Sequence, residues 1–393
     1  MAALSVAEAL ARVTQGLEPL EAERVTLGQA SGRVLAQDLA ATLTQPPFDA
    51  SAMDGYAVRA QDLSALPVTL RVIGLSAAGA GFRGRVGKGE AVRIFTGAPV
   101  PEGTDSIVIQ EQAEEASGVV TVKEAGDRGY IRRRGQDFAA GDVLLVAGTR
   151  LGPRQIMLAA AMNHAEIPVR RKPKVAILAT GDEVVPPGSD LAQDQIVSSV
   201  PPGVVALIEA SGGEAMSLGI AKDDIESIVT LARSGSAADI LLTIGGASVG
   251  ERDLVVRALQ SEGLALEFSK IAMRPGKPML FGRLGNQRVL GVPGNPVSAL
   301  ICAQIFLKPM LERMLGAAVE ARGEPPAILG EALQANGVIL RRWPPEILAA
   351  FETAWNEVAA EEAKKSANFE RIYASYTAFR ASYSVWNYLG YVQ

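Results

Sequence analysis

The chain has 393 residues, 48% of them hydrophobic, and a formal net charge of −5. This length suits two to four domains, and the 40 glycines and 22 prolines indicate short strands and turns rather than disorder. The acidic balance argues against nucleic acid as a partner, and a single cysteine and a single histidine argue against a disulfide or a zinc site. No signal-peptide pattern and no apolar run of membrane-spanning length occurs, so we expect a cytoplasmic protein.

The first part of the chain predicts two short helices followed by a polar loop. Residues 5–15 and 27–39 carry apolar residues at helical spacing. Two consecutive prolines then end the helical pattern, and an Asx-turn suits Asp49 in the loop that follows. Asp54 in the same loop precedes Gly-Tyr-Ala-Val, so we expect its carboxylate at the start of a strand.

Residues 67–148 have short alternating strands and frequent turn signals, which are typical of a small all-β unit. Gly79–Gly84 matches the dinucleotide fingerprint GxGxxG, but no helix follows, so we predict a turn there. Two loops of this unit, residues 96–103 and 131–137, are unusually polar. The second contains three consecutive arginines, which are typical of a solvated surface and would also suit a phosphate.

A helix and a strand over residues 152–171 precede a change of pattern at residue 172. From there strands alternate with crossover helices, which predicts a doubly wound parallel sheet. A long helix follows, up to about Gly316. Ligands of such sheets bind at the carboxyl ends of the strands, where polar clusters follow four predicted strands. These clusters are Gly181-Asp182-Glu183, Asp223-Asp224, Gly245 to Asp253, and Pro293-Gly294-Asn295-Pro296.

The stretch 240–260 predicts a strand, a glycine turn and a helix, a geometry that suits an anion. Its residues Gly246–Gly250 also spell the nucleophile elbow of serine hydrolases. That motif needs a histidine after the serine, whereas His164 precedes it, so a serine hydrolase is excluded. Cys302 lies in an apolar helical pattern and is interpreted as a packing residue.

Seven motifs together resemble the MoeA-type molybdopterin molybdenumtransferases, bacterial enzymes related to the E domain of gephyrin. The resemblance covers residues 1 to about 320. The motifs are PPFDASAMDGYAVR, IFTGAPVPEG, IRRRGQD, ATGDE, TIGGASVGERD, MRPGKP and GVPGNPVSA, in this order.

The resemblance implies an enzyme that takes adenylylated molybdopterin and molybdate, hydrolyses the adenylate with Mg²⁺, and leaves molybdenum on the dithiolene with release of AMP. It implies a homodimer in which the loop around Asp54 and Thr96 faces the α/β crevice of the other subunit. The implied partners are a MogA-type molybdopterin adenylyltransferase and apo-molybdoenzymes or their chaperones.

Carried over by motif, the catalytic positions are Asp54, Thr96, Glu183, Asp223 and Asp253. The positions that bind molybdate or substrate are Lys270, Arg274, Lys277 and Ser298. The positions that bind the phosphates or the pterin nucleotide are Gly181, Gly245, Gly246, Ser248, Gly250, Pro293, Gly294, Asn295 and Pro296. Glu183 and Asp253 are the expected Mg²⁺ ligands. Two positions depart from the family pattern, because Val200 stands where asparagine is usual and Arg274 where lysine is common.

Four domains are expected, and the last departs from the family. They are a discontinuous helical and dimerisation domain (1–44 with 142–171), a β-rich insert (45–141), a molybdopterin-binding α/β domain (172–318) and a helical tail (319–393). The tail stands where the family has a small β-barrel, and it resembles the C-terminal helices of DctP-type solute-binding proteins of TRAP transporters.

Three alternatives to the molybdenumtransferase remain open. One is a scaffold that binds the pterin nucleotide without turnover, favoured by the replaced fourth domain. A second is a MogA-type adenylylating enzyme, disfavoured by the β-rich insert. A third is a TRAP-type solute-binding protein, which rests on the tail alone.

Overall fold

The computed structural model divides the chain into two units, Met1–Val319 and Glu320–Gln393. The structure describes residues 3–124, 128–245, 254–317, 345–366, 368–375 and 377. Among these residues, the strands of the first unit form two six-stranded sheets and four two-stranded pairs. No helix in the described ranges is both long and apolar enough to span a membrane.

The helices of the first unit are α1 (Val6–Thr14), α2 (Pro153–Ala161), α3 (Val200–Ala210), α4 (Ile225–Ser234), α5 (Leu254–Ser261), α6 (Pro296–Cys302) and α7 (Lys308–Met314). Its first strands are β1 (Ala22–Thr26), β2 (Leu39–Ala40), β3 (Ala50–Ser51), β4 (Gly55–Val58), β5 (Val68–Ser76), β6 (Glu90–Ile94), β7 (Ser106–Ile109), β8 (Ala113–Ala116), β9 (Val119–Val122), β10 (Ile131–Arg132), β11 (Val143–Leu145) and β12 (Glu166–Arg170). Its later strands are β13 (Lys174–Thr180), β14 (Val184–Val185), β15 (Ile196–Val197), β16 (Glu214–Ala221), β17 (Ile240–Ile244), β18 (Ala265–Phe268), β19 (Leu280–Leu284) and β20 (Gln287–Val292).

Helix α1 confirms the helix predicted over residues 5–15. A capping box begins it, in which the Ser5 hydroxyl accepts from the Glu8 N–H and the Glu8 carboxylate accepts from the Ser5 N–H. Ala9 and Val13 on its buried face pack into the core of the α/β sheet. The N-terminal helix therefore belongs to the packing of that sheet.

The prediction of a helix over residues 27–39 is wrong. Only Leu27–Gln29 forms a short 3-10 turn, and the residues from there to β2 form a turn, isolated bridges and bends. Leu35 is fully buried and forms an antiparallel bridge with Val169. Backbone pairing with a distant segment thus satisfies the hydrogen bonds that the local helical pattern would have satisfied.

The predicted all-β unit is confirmed as a six-stranded sheet of order β7-β4-β6-β5-β9-β8. Its pairs are antiparallel except β5 with β6. The sheet begins earlier than the predicted residue 67, because β4 is one of its inner strands. The glycine-rich stretch at Gly79 is a turn, as predicted, in which Ala80 N–H donates to the Ala77 carbonyl.

The α/β sheet has the order β16-β13-β17-β20-β19-β18 and is mixed rather than parallel throughout. Strands β16, β13, β17 and β20 are parallel, but β19 and β18 pair antiparallel. The prediction fails at this edge because only Gly285 and Asn286 separate β19 from β20. Two residues can form a hairpin but not a crossover.

Helices cover both faces of this sheet, as the doubly wound prediction requires. Helices α1, α3, α6 and α7 pack on one face, with Val204 and Phe306 in the core. Helices α4 and α5 pack on the other, with Ile228 and Leu259 in the core. Parallel strands covered on both faces are buried, which explains their nearly continuous apolar sequences.

The predicted long helix is confirmed as α6, a π-helical turn at Ala303–Leu307, and α7. Cys302 at the end of α6 is fully buried, and burial raises the pKa of its thiol to about 11. The thiol is therefore protonated at neutral pH and acts in packing, as predicted.

The second unit contains helix α8 (Pro345–Lys365) and a further helix over residues 368–375. The two contact each other through the Tyr373 hydroxyl, which donates to the Asn356 side chain at 3.3 Å. Trp355 of α8 is 57% exposed. The four domain boundaries expected from the sequence stay a prediction.

Candidate functional site

A cavity of about 520 Å³ lies at the carboxyl edge of the parallel strands. It is lined by the last residues of β13 and β17, Thr180 and Ile244, and by Pro293 directly after β20. The helix α3 begins beside it at Val200, which also lines it. The crevice predicted at this edge is therefore present.

Gly245 brings two strand ends close together beside the cavity. Its φ of +88° lies in the left-handed region, and a β-carbon here would stand 3.0 Å from the Thr180 carbonyl oxygen. Gly294 approaches from the next strand, since its own β-carbon would lie 3.6 Å from the Gly245 Cα. Glycine is required for this approach, whereas a phosphate contact by these residues stays a prediction.

Among the described residues, the acidic residues that line the cavity are Glu183 and Asp223. Their neighbours hold the loops instead. The Asp182 carboxylate accepts from the Asp223 N–H at 3.1 Å, and the Asp224 carboxylate caps α4 by accepting from the Ser227 N–H at 2.7 Å. The acidic clusters thus divide into residues that face the cavity and residues that fix the backbone.

Three exposed cations, Lys270, Arg274 and Lys277, lie in the loop between β18 and β19. Within the described residues, none of them pairs with a carboxylate. The loop reaches the cavity through Pro278. The Leu4 carbonyl anchors the loop by accepting from the Ala272 N–H at 2.7 Å, a contact that the sequence did not predict.

Asn295 and Ser298 are bonded to each other at the start of α6. The Asn295 side-chain oxygen accepts from the Ser298 N–H at 3.1 Å and from its hydroxyl at 3.2 Å. Pro293, Gly294 and Pro296 line the cavity. Asn295 and Ser298 therefore act as a helix cap, and their contact with substrate stays a prediction.

Asp54 and Thr96 form a compact pair in the β-rich sheet. The Thr96 N–H and hydroxyl both donate to Asp54 Oδ1, at 2.7 and 2.8 Å. These two bonds, and then the nearby Arg93 guanidinium, lower the pKa of Asp54 below its ordinary value. Neither Asp54 nor Thr96 lines the cavity of its own chain.

Arg93 lies near Asp54 and was not among the residues predicted from the sequence. Its guanidinium lies 4.8 Å from the centroid of the Tyr56 ring and 5.3 Å from that of Phe95. It also donates to the Gln110 side chain at 2.8 Å. Phe95 is a neighbour in the chain, but Tyr56 and Gln110 come from other strands or turns, so the local sequence does not predict these contacts.

The arginine loop is held by carboxylates of the chain itself. Arg133 pairs with Asp49, and the Arg134 N–H donates to the same carboxylate at 2.8 Å. The Arg134 backbone bond, followed by the Arg133 ion pair, lowers the pKa of Asp49. The Asx-turn proposed for Asp49 is wrong, because its partners are more than 80 residues away in sequence.

Four predicted site residues, Gly246, Ser248, Gly250 and Asp253, lie outside the described residues. Thr180 is a further residue that the sequence analysis missed, since its hydroxyl is buried at the cavity without a hydrogen-bond partner in the described part of the chain.

Two family models match most of the first unit. Residues 4–163 match the MoeA N-terminal region (domain I and II), and residues 176–313 match the probable molybdopterin binding domain. Residues 320–393 lie beyond both matches.

Curated relatives and solved structures agree with these matches. The chain is 40% identical to the molybdopterin molybdenumtransferase of Haemophilus influenzae over 76% of this chain and 74% of that protein. It is 41% identical to the molybdopterin molybdenumtransferase of Synechococcus elongatus over 75% of each. The structure of the molybdopterin biosynthesis MoeA protein from Pyrococcus horikoshii superposes with a TM-score of 0.71 at 34% identity, over 80% of this chain and 81% of that one. By this similarity the chain belongs to the family of MoeA-type molybdopterin molybdenumtransferases.

Proposed function

We propose that this chain is an enzyme of molybdenum cofactor biosynthesis that inserts molybdenum from molybdate into adenylylated molybdopterin and releases AMP. The observation that carries the proposal is the cavity at the carboxyl edge of the sheet, with Glu183 and Asp223 on its walls and a cationic loop at its rim. Family membership supplies the substrate class.

The cationic loop suits the molybdate oxyanion. Molybdate needs positive charge and N–H donors rather than a nucleophile, and Lys270, Arg274 and Lys277 offer both without a competing carboxylate among the described residues. The carboxylates that line the cavity suit activation of the water that attacks the adenylyl phosphorus. The phosphorus–oxygen bond to the molybdopterin phosphate then breaks, and AMP leaves.

The donor set of the cavity also fits Mg²⁺. Among the described residues no three acidic, histidine or cysteine side chains form a closed metal site. Mg²⁺ does not need one, because it is commonly held by one or two carboxylates together with substrate phosphates. Glu183 would hold the ion, with Asp253 by resemblance, and the ion would neutralise charge on the pyrophosphate.

We further propose that the active site is completed across a homodimer. Asp54 is half-buried and its pKa is lowered, yet it does not line its own chain's cavity, which agrees with a role opposite a partner's cavity. A MogA-type adenylyltransferase would supply the substrate, and apo-molybdoenzymes or their chaperones in the cytoplasm would receive the product.

The test is molybdate-dependent release of AMP from adenylylated molybdopterin with Mg²⁺. We expect turnover by the full chain, and its loss in Asp54→Asn and in Glu183→Gln. The matched control is Asp190→Asn, which removes an exposed carboxylate that does not line the cavity. Mixing the two inactive variants in equal amounts should restore about a quarter of the activity, since mixed dimers hold one intact site. Restoration of none would contradict the shared site.

A scaffold that binds the nucleotide without turnover is the second candidate. The favouring observation is that residues 320–393 form a separate unit beyond both family matches. Binding of AMP by a chain that releases none from substrate would support the scaffold and refute the enzyme. The resemblance of the tail to DctP-type proteins stays a prediction, and dicarboxylate binding measured by calorimetry would test it.

A further inference from the structure

The hydroxyl of Thr180 is a buried polar group that makes no hydrogen bond within the described part of the chain. Thr180 ends β13, is 6% exposed, and lines the cavity. Its Oγ1 has no hydrogen-bond partner in the described residues. Buried hydroxyls are nearly always bonded, because an unmade bond is costly. A valine of similar shape would fill this strand position without that cost.

The backbone amides that follow the two strand ends have other partners. The Gly181 N–H donates to the Ala221 carbonyl at 3.2 Å, and the Gly245 N–H donates to the Val292 carbonyl at 3.2 Å. Neither of these two described amides is therefore left for the Thr180 hydroxyl. The glycine at 245 leaves the hydroxyl uncovered, since a β-carbon there would stand 3.2 Å from Oγ1.

The cavity beside Thr180 suits a flat heterocycle better than a bare phosphate. Its walls include Val184, Val200 and Val255, which offer apolar surface to ring faces. The Glu183 carboxylate stands over Gly181, since its Oε2 would lie 2.7 Å from a β-carbon there. A phosphate at this position would need the Mg²⁺ that Glu183 is proposed to hold, whereas a neutral ring would not. A hydroxyl both donates and accepts, so it matches a ring edge on which N–H groups and lone pairs alternate.

We propose that the Thr180 hydroxyl is a specificity-determining group that hydrogen-bonds the edge of a nitrogen heterocycle of the substrate. The inference rests on the proposed function and deepens it, because adenylylated molybdopterin carries such an edge on both its adenine and its pterin. One arm of the test below decides between them.

Thr243 provides a matched control. It lies on the neighbouring strand β17, is fully buried, and its hydroxyl also has no partner among the described residues. It does not line the cavity; its Oγ1 lies against Gly291 of β20. Thr180→Val and Thr243→Val thus remove equivalent hydroxyls, one at the cavity and one away from it.

The experiment measures calorimetric binding of AMP, neopterin and ribose 5-phosphate to the full chain and to Thr180→Val, Thr180→Ser and Thr243→Val. We expect Thr180→Val to weaken the binding of one of the two heterocycles about tenfold, because one hydrogen bond is lost. The binding of ribose 5-phosphate should be unaffected by Thr180→Val, and Thr180→Ser should retain the affinity for both heterocycles. In turnover, the KM of Thr180→Val should rise by a similar factor at constant kcat, the signature of lost uniform binding.

Unchanged binding of both heterocycles by Thr180→Val would overturn the inference, as would equal weakening by Thr243→Val. Weakened binding of ribose 5-phosphate would assign the hydroxyl to the phosphate and refute the heterocycle. The two proposals fail separately. AMP release with an unchanged KM in Thr180→Val refutes only the role of Thr180, whereas heterocycle binding through Thr180 without AMP release refutes only the enzyme.

Discussion

Replacing Gly245 with alanine should destabilise the chain more than the backbone conformation alone explains. A non-glycine residue at a φ of +88° costs about 1–2 kcal/mol. The added β-carbon would also stand 3.0 Å from the Thr180 carbonyl oxygen, so the two strand ends would have to shift apart. We therefore expect a loss of about 2–3 kcal/mol in the free energy of unfolding, measured by urea denaturation.

Alanine substitutions at two further glycines separate the strain of the backbone conformation from the steric contact of the added β-carbon. Gly79 has a φ of +78° with nothing within 4 Å of a β-carbon, so Gly79→Ala should cost only about 1–2 kcal/mol of conformational strain. Gly203 lies inside α3 with open space around it, so Gly203→Ala should stabilise the protein by about 0.5–1 kcal/mol. Equal losses for Gly245→Ala and Gly79→Ala would refute the argument that the strand ends are in close contact.

Three other predictions concern charge. Burial tends to raise the pKa of Asp239, but bonds from Arg171 and from the Lys174 N–H outweigh this effect and lower the pKa. The ionised carboxylate therefore stabilises the folded state above the pKa that Asp239 has in the unfolded chain. This stabilisation is lost as the pH falls through the lower pKa of the folded state. Asp239→Asn should therefore lower the free energy of unfolding by about 2 kcal/mol at pH 7, measured by urea denaturation, and its difference from wild type should shrink below about pH 4. A difference that stays constant with pH would contradict this linkage. Thr96→Val should raise the pKa of Asp54, followed by carboxyl NMR titration, more than Arg93→Gln does. The variant keeps the Thr96 N–H bond but loses the hydroxyl bond, which lowers this pKa more than the Arg93 charge does; the reverse order would contradict the geometry. Lys277→Met should raise the KM for molybdate severalfold in the AMP-release assay, while Lys88→Met, which removes an exposed charge far along the chain, should leave it unchanged.

The location of the site could be predicted from the sequence, whereas several of its contacts could not. Polar residues after buried strands mark the carboxyl edge, and Glu183, Asp223 and Gly245 all lie there as expected. Arg93 escaped prediction because its partners come from different parts of the sheet. Thr180 escaped it because the feature that distinguishes it, a hydroxyl without a partner, exists only once the neighbouring strands are in place.

Long-range pairing also explains the failed local predictions. The apolar spacing of residues 27–39 fits a helix, but Leu35 is bridged to Val169 and buried in the core beside β12. A single sequence shows which residues are apolar, but it does not show which distant segment they pair with. The prediction of an Asx-turn at Asp49 failed for the same reason, since the arginine loop that its carboxylate binds comes more than 80 residues later.

The antiparallel edge of the α/β sheet, which the sequence analysis missed, places the cationic loop. Because β19 runs antiparallel to β20, the first residue of β19, Leu280, pairs with Gly291 near the end of β20. Phe268 at the end of β18 pairs with Phe281 at the same edge. The loop between β18 and β19 must therefore emerge beside the carboxyl ends of the parallel strands. A parallel β19 would have begun at the opposite edge, away from the cavity that Glu183 and Asp223 line.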